Sequence, residues 1–160
     1  MSGPSENIHV ITSHLSHPAP ILEHLSICCN GRMLHRHPAL PPTLFNGDLS
    51  SLCKLFLVLV RAELPWRNMI NLTSFTLSYT PPGTVSIGQL LDFFESAPYL
   101  EEVDHYFVTP TAGAQNCRLV SLAHLKHMYT EDDDPHSALL DHLLFLSARS
   151  WKYRHAWSAP

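Results

Sequence analysis

The stretch LCKLFL, residues 52–57, places three leucines in the pattern L-x-x-L-x-L. The first leucine is expected to fill the core where the chain turns into a strand. The next two, spaced two residues apart, point inward along that strand. A single strand of this kind cannot bury its apolar side, so LCKLFL predicts that similar strands are stacked beside it.

The same pattern recurs, completely or in part, in LEHLSI, LTSFTL, LEEVDH and LKHMYT, which begin at Leu22, Leu72, Leu100 and Leu125. The spacing of the copies is close to the roughly 20–29 residues of leucine-rich repeats, and at least three copies are needed for a common core. The sequence therefore predicts an α/β fold. We expect an irregular leucine-rich-repeat solenoid of about five parallel strands, with loops and short helices on the outer side.

Two of the copies depart from the pattern. His105 stands in the third slot of LEEVDH, where an apolar residue is expected. The last copy could begin at Leu122 or at Leu125. We prefer Leu125, because Met128 is then buried and His127 exposed.

Two helices are predicted between or after the strands. In the first, Ser86 and Gln89 form a capping box, and the helix ends near Ser96, before Pro98. Its staple residues and apolar stripe are Val85, Ile87, Leu90, Leu91 and Phe94. The second begins in DPHSALLDHLL, with Asp134 as cap and Pro135 in the first turn. Its inward residues are Leu139, Leu140, Leu143 and Leu144.

The chain length and composition fit one folded domain. It has 160 residues, of which 45% are hydrophobic, too many for a disordered protein. Residues 1–20 are polar and aperiodic, so we expect a flexible N-terminal extension. Residues 21–146 form the leucine-rich-repeat-like domain, and 147–160 form a C-terminal tail that does not resemble another repeat.

Charge and hydropathy exclude two classes of partner. The formal net charge is -4, and no basic field calls for nucleic acid. The longest apolar run, residues 55–60, is far shorter than the ~20 residues of a membrane span. The N-terminus lacks the pattern of a secretory signal. We therefore expect an intracellular protein of the cytoplasm or nucleus.

Several stretches resemble the C-terminal leucine-rich region of F-box domain-containing proteins of mushroom-forming fungi. They include LPPTLFNGDLSSL, ELPWRNMINLTSFTLSYTPPG, QLLDFFESAPYLEEVD and TPTAGAQNCRLVSLAHLKHMY, and the likeness covers about residues 20–146. The resemblance implies an irregular leucine-rich α/β solenoid. It also implies a substrate-recognition role in a cullin-RING ubiquitin ligase, in which the F-box recruits the ligase and the repeats hold the substrate.

The sequence itself contains no F-box pattern. The ligase core is therefore expected as a partner only if an F-box is supplied elsewhere, and the chain is consistent with a truncated paralogue. The resemblance implies no catalytic residues. At most, the chain would be a non-catalytic subunit of the ligase.

A metal site is the alternative interpretation, and it rests on ICCNGRMLHRH, residues 27–37. Its candidate ligands are Cys28, Cys29, His35 and His37. Structural zinc sites usually combine C-x2-4-C with H-x3-5-H, and adjacent cysteines with His-x-His match neither. We prefer a strand end and turn, with Ile27 in the last core slot and Asn30 in the turn slot. No cofactor is then expected; the alternative is a His/Cys metal-binding protein or metallohydrolase.

The residues between the inward slots should line the concave face of the solenoid. There the sequence predicts binding to a protein substrate whose identity the sequence does not specify. Phe56, Tyr106 and Tyr129 are the expected anchors, because aromatic residues dominate interface energetics. The full predicted set is Lys54, Phe56, Val58, Glu102, Asp104, Tyr106, His127 and Tyr129.

Overall fold

All five predicted strands are present, and they lie side by side in one parallel sheet. The computed structural model describes residues 15–29, 39–41, 43–62, 64, 66–81, 83–108, 110–111, 118–132, 139–145 and 150–155. Its strands are His24–Cys28 (β1), Lys54–Val58 (β2), Ser74–Ser78 (β3), Glu102–Tyr106 (β4), Val120–Ser121 (β5), His127–Asp132 (β6), Leu143–Leu144 (β7) and Ser150–His155 (β8). The main sheet has six strands in the order β1-β2-β3-β4-β6-β8, and β5 and β7 form a separate pair.

The strand register follows the leucine pattern. Each strand of the five copies begins two residues after the first leucine, as β2 does after Leu52. Equivalent core residues face each other across the sheet, for example Leu55, Phe75 and Val103. In the last copy Met128 is 2% exposed and His127 is exposed. The start at Leu125 is therefore confirmed.

Every copy enters its strand through the same hydrogen-bonded turn. The amide of the first leucine donates to the carbonyl three residues earlier, at 3.0–3.2 Å; these leucines are Leu22, Leu52, Leu72, Leu100 and Leu125. A second link joins neighbouring copies. The carbonyl of Glu23, just before β1, accepts from the amides of Cys53 and Lys54 at 2.7 and 3.0 Å. Cys53, Thr73 and Glu101 repeat this link to the next copy. The copies therefore share backbone structure beyond the strands.

The core lies on the side of the sheet that the leucines face. Leu55 and Leu57 of β2 are 1% and 0% exposed. The equivalent residues of β1, Leu25 and Ile27, are only half-buried, because within the described residues β1 has a strand on one side alone. Leu15, in the expected flexible extension, is also buried. Its carbonyl accepts a backbone hydrogen bond from Phe45 in the single-turn 3-10 segment Leu44–Gly47.

The first predicted helix is confirmed as Ile87–Ser96 (α1). The Ser86 hydroxyl accepts from the Gln89 amide at 3.2 Å, and Gln89 Oε1 accepts from the Ser86 amide at 2.8 Å. All of the predicted staple and stripe residues are buried. Phe93 is buried as well, and its ring lies 4.3 Å from that of Phe75. The helix therefore covers the core side of β3.

The second predicted helix is wrong over the residues that the structure describes. Leu140–His142 is a single 3-10 turn, followed directly by β7; Asp134 and Pro135 lie outside the described residues. Leu139 and Leu143 are buried as predicted, and Leu140 is half-buried. Leu144, however, is 45% exposed. Pairing of Leu143 with Val120 extends the backbone here, so successive side chains point to opposite sides.

The stretch expected to be a tail contains a sixth strand of the main sheet. β8 pairs with β6 in parallel along six residues, with Ser150 opposite His127 and His155 opposite Asp132. The sequence did not predict this strand, because SWKYRH has no L-x-x-L-x-L pattern. The regular sheet therefore extends beyond residue 146.

Candidate protein-binding face

Alternate residues of the main sheet point away from the core and form what we call the open face. Because the strands are paired in register, these residues form rows across the sheet. The middle row runs from β1 to β6 through Ser26, Phe56, Thr76, Asp104 and Tyr129, and Lys152 of β8 is the next residue in register. The flanking rows are His24, Lys54, Ser74, Glu102, His127, and Cys28, Val58, Ser78, Tyr106, Glu131.

All eight residues predicted to bind a partner lie on this face. Lys54, Phe56, Glu102 and His127 are exposed, whereas Val58, Asp104, Tyr106 and Tyr129 are half-buried. The structure brings them together in space, although their numbers span 54 to 129. Their role in binding stays a prediction.

The middle strand of the face carries only small hydroxyl side chains. These are Ser74, Thr76 and Ser78 of β3, which stand between larger residues on β2 and β4. Thr76 and Ser78 are 9% and 5% exposed. From this difference in side-chain size we expect a shallow groove along β3, with a polar floor. This groove was not predicted from the sequence, although the alternating small hydroxyl residues of LTSFTLS indicate it.

Three acidic residues lie on two neighbouring strands of the face. Glu102 and Asp104 lie on β4, and Glu131 lies on the adjacent β6. Burial raises the pKa of Asp104 above its usual value, and the neighbouring Glu102 raises it further; Thr76 and His127 act in the opposite direction. Ionisation of Asp104 at this partly dehydrated position therefore costs free energy.

Two tyrosines stand among these carboxylates. The rings of Tyr106 and Tyr129 are 4.7 Å apart, and the Tyr129 hydroxyl donates to Glu131 Oε2 at 2.7 Å. Burial raises the pKa of Tyr106, and Asp104 and Glu131 add to the increase. We call Glu102, Asp104, Glu131, Tyr106 and Tyr129 the acidic-aromatic corner.

A second aromatic pair lies just past the ends of the strands. The rings of Tyr79 and Phe107 stack at 4.9 Å with an interplanar angle of 18°. Both residues have left-handed backbone, at φ 54° and 49°, and so does Leu59 at φ 57°. Each directly follows a strand of the main sheet. This row was not predicted, because a left-handed backbone is usually indicated in the sequence by glycine or asparagine.

The alternative metal site is described only in part. Cys28 is exposed and Cys29 half-buried, and both are free thiols. Burial raises the pKa of Cys29, with a smaller contribution from Cys28. His35, His37 and the predicted turn residue Asn30 lie outside the described residues. Across the part of the chain that is described, no three His, Cys, Asp or Glu side chains are grouped to hold a metal ion. The four-ligand site thus stays a prediction.

A small cleft lies away from the open face, near the Leu44–Gly47 turn. It has a volume of about 230 Å³ and is lined mainly by apolar surface, including Leu44, Leu49 and Trp66. Its polar lining residues are Thr43, Arg67 and Asn68. Nothing in its lining resembles a catalytic combination of nucleophile and base, so the open face remains the candidate site.

Of the helices in the described ranges, none has the length and apolarity needed to cross a membrane.

Comparisons with known proteins do not identify the function of the open face. No protein-family model matches the chain, and no curated protein or solved structure was found to be similar to it.

Proposed function

We propose that this chain is a protein-binding module, built as an irregular leucine-rich-repeat solenoid, that holds a protein partner on its open face. The repeated entry turn and the constant register between β1, β2, β3, β4 and β6 support a repeat architecture. Stacked repeats of this kind create extended surfaces suited to binding.

The observation that carries the proposal is the placement of aromatic residues around the groove. Phe56 is 42% exposed on one side of β3, and the Tyr106–Tyr129 pair stands on the other. An exposed phenylalanine gains free energy when a partner covers it. Aromatic residues also provide most of the energetic hot spots of protein interfaces. The groove is therefore flanked by suitable anchors on both sides.

The partner that we propose is a substrate of an intracellular cullin-RING ubiquitin ligase. This part of the proposal rests on the resemblance to the leucine-rich region of fungal F-box proteins. The chain would bind the substrate, and an F-box supplied elsewhere would recruit the ligase core. In this role the chain has no catalytic residues of its own.

The experiment compares partner capture by the wild type and by Phe56→Ala and Tyr106→Ala variants, using extract from a mushroom-forming fungus. Tyr99→Ala is the matched control. Tyr99 is 54% exposed, but it precedes β4 and lies off the open face. We expect the face variants to retain at most about a tenth of each captured protein, corresponding to ~1.4 kcal/mol of binding free energy.

Thermal unfolding of each variant provides the check on folding. Neither Phe56 nor Tyr106 is a core residue, so the variants should unfold close to the wild-type temperature. Equal capture by the wild type, both face variants and Tyr99→Ala would contradict the proposal. Mass spectrometry of the captured proteins for F-box and cullin subunits tests the ligase assignment separately.

A further inference from the structure

Besides the main sheet, short parallel bridges join the connections between neighbouring copies of the leucine pattern. Ala39, in the connection from β1 to β2, bridges Arg61, in the connection from β2 to β3. The Leu40 amide donates there to the Arg61 carbonyl at 2.8 Å. Ser86, between β3 and β4, forms the same kind of bridge with Thr111, which lies between β4 and β5. At these places the connecting segments lie side by side, as the strands of the main sheet do.

The copy that contains β1, which we call the first copy, is aligned with the next copy from Leu15 onward. The Leu15 carbonyl accepts a hydrogen bond from the Phe45 amide, and the two residue numbers differ by 30. β1 and β2 pair at the same offset along their whole length, beginning with His24 opposite Lys54. Leu15 and Phe45 are both buried. The first two copies thus keep one register from Leu15 to the end of β1.

The same offset indicates which residues belong beside the segment that contains Ala39. It assigns His9 to Ala39 and Val10 to Leu40. Ala39 is exposed, whereas Leu40 is 3% exposed and belongs to the core. A polar and an apolar residue therefore fall where the register requires them. The stretch IHVIT, residues 8–12, is also rich in β-branched side chains, which favour extended backbone.

The length of this stretch and the place where it ends allow it to reach that position. Val10 precedes Leu15 by as many residues as Leu40 precedes Phe45, so no extra loop is needed. Because Leu15 is already buried and hydrogen-bonded, only the few residues before it have to be ordered when the segment docks. The segment around Leu40 uses one side to pair with Arg61, and its opposite side is directed towards the first copy.

We propose that residues 8–11 dock in parallel beside residues 39–41 and form the outer segment of the first copy, with Val10 entering the core next to Leu40. The chain thereby supplies its own partner for this end of the stack, where β1 has a strand on one side alone among the described residues. A completed first copy holds β1 in place and, with it, the three residues that β1 contributes to the open face. This docking is independent of the proposed function.

A designed disulfide in the full-length chain tests the register. Neighbouring strands are about 4.8 Å apart, which lies within the Cα–Cα range of a disulfide, so His9→Cys/Ala39→Cys should cross-link on mild oxidation. The matched control is Ser13→Cys/Ala39→Cys, in which the first cysteine is displaced by roughly 13 Å of extended chain. Peptide mass spectrometry distinguishes these links from any that involve native cysteines. We expect the first pair to cross-link at least about tenfold faster than the control pair.

Thermal unfolding tests the burial of Val10. Val10→Asp places a charged group where the proposal puts an apolar side chain in the core. His9→Asp adds the same group at the position assigned beside Ala39, which is exposed. Both variants should fold, because most of the core residues belong to the later copies. We expect Val10→Asp to lower the Tm by at least about 5 °C and His9→Asp to leave it within about 1 °C of the wild type.

Either of two results would overturn the proposal. One is equal cross-linking of the two cysteine pairs, which would mean that the segment meets Ala39 without a fixed register. The other is an equal Tm for Val10→Asp and His9→Asp, which would mean that Val10 stays outside the core. Faster cross-linking of the first pair, together with selective destabilisation by Val10→Asp, supports the docking.

Discussion

His105 lies opposite Thr130 in the parallel ladder between β4 and β6, and both side chains are 1% exposed. Neither ring nitrogen of His105 has a hydrogen-bond partner among the described atoms, and neither does the Thr130 hydroxyl. In the neighbouring copy the same slot holds Leu77, which is fully buried. Within the described part of the chain, polar groups without a hydrogen-bond partner thus occupy positions where the repeat pattern expects apolar residues.

Replacing the histidine should stabilise the fold. A buried polar group without a partner costs about 1–3 kcal/mol, and leucine has a similar volume. We expect His105→Leu to raise the free energy of unfolding by about that amount in urea titrations at pH 7.5. Val103→Ala is the control, since it removes buried apolar atoms from the same strand and should destabilise. A lower stability of His105→Leu would mean that the imidazole makes a favourable contact.

Stability should also depend on pH through His105. Burial lowers the pKa of His105 to about 4, from an ordinary value of 6.5. The unfolded chain binds the proton more tightly, so lowering the pH favours unfolding. Above about pH 6.5 His105 is neutral in both states, so its titration does not reduce the free energy of unfolding. As the pH falls from 6.5 towards 4, only the unfolded chain takes up the proton, and the free energy of unfolding decreases. This difference in pKa corresponds to roughly 3 kcal/mol.

The measurement is the free energy of unfolding of the wild type and His105→Leu at intervals from pH 8 to pH 4. We expect the two curves to diverge below about pH 6.5, with the wild type losing more. Taking the difference cancels the contributions of the other histidines, which are common to both proteins. Parallel curves over the whole range would show that His105 is not responsible.

The sequence anticipates the strands better than the connections between them. The slots of L-x-x-L-x-L fix the register from β1 to β6, because each inward leucine must meet its equivalent in the next copy. They also place the eight predicted binding residues on one face. They do not identify β8, which is not preceded by the L-x-x-L-x-L pattern, or the separate pairing of β5 with β7. In the latter, tertiary pairing outweighs the helical leucine spacing of residues 139–144.

The candidate site was likewise predicted only in part. Its residues follow from alternation along each strand, whereas its charge pattern depends on which strands are neighbours. Glu131 joins Glu102 and Asp104 only because β6 packs beside β4, with β5 excluded from the main sheet. The left-handed backbone at Tyr79 and Phe107 could not be predicted from the residue types, because bulky residues rarely adopt it.

The capping box of α1 provides a prediction on local stability. Ser86→Ala removes the acceptor for the Gln89 amide and should cost about 1 kcal/mol. Gln89 also donates from Nε2 to the carbonyl of Leu64 at 2.9 Å. Gln89→Glu keeps the acceptor of the box and loses that donor, whereas Gln89→Ala loses both. We expect Gln89→Ala to be the less stable of the two in urea unfolding. Equal stability would mean that the Gln89 side of the box contributes nothing.

The final prediction concerns the left-handed residue that directly follows β2, as others follow β3 and β4. At Leu59, φ is 57°, a conformation that costs residues with a Cβ atom roughly 1–2 kcal/mol but is accessible to glycine. Both Leu59→Gly and Leu59→Ala remove the leucine side chain and its packing. The comparison between them therefore isolates the backbone. We expect the glycine variant to be more stable than the alanine variant by about 1 kcal/mol.

Lys54 is the control position, because it is exposed within β2 and has ordinary strand backbone. There glycine should be less stable than alanine by about 0.5–1 kcal/mol, since it loses more conformational freedom on folding. The order of the two variants should thus reverse between positions that are five residues apart. Alanine equal to or better than glycine at Leu59 would mean that the chain leaves β2 without a left-handed residue. The equivalent roles of Tyr79 and Phe107 would then need separate tests.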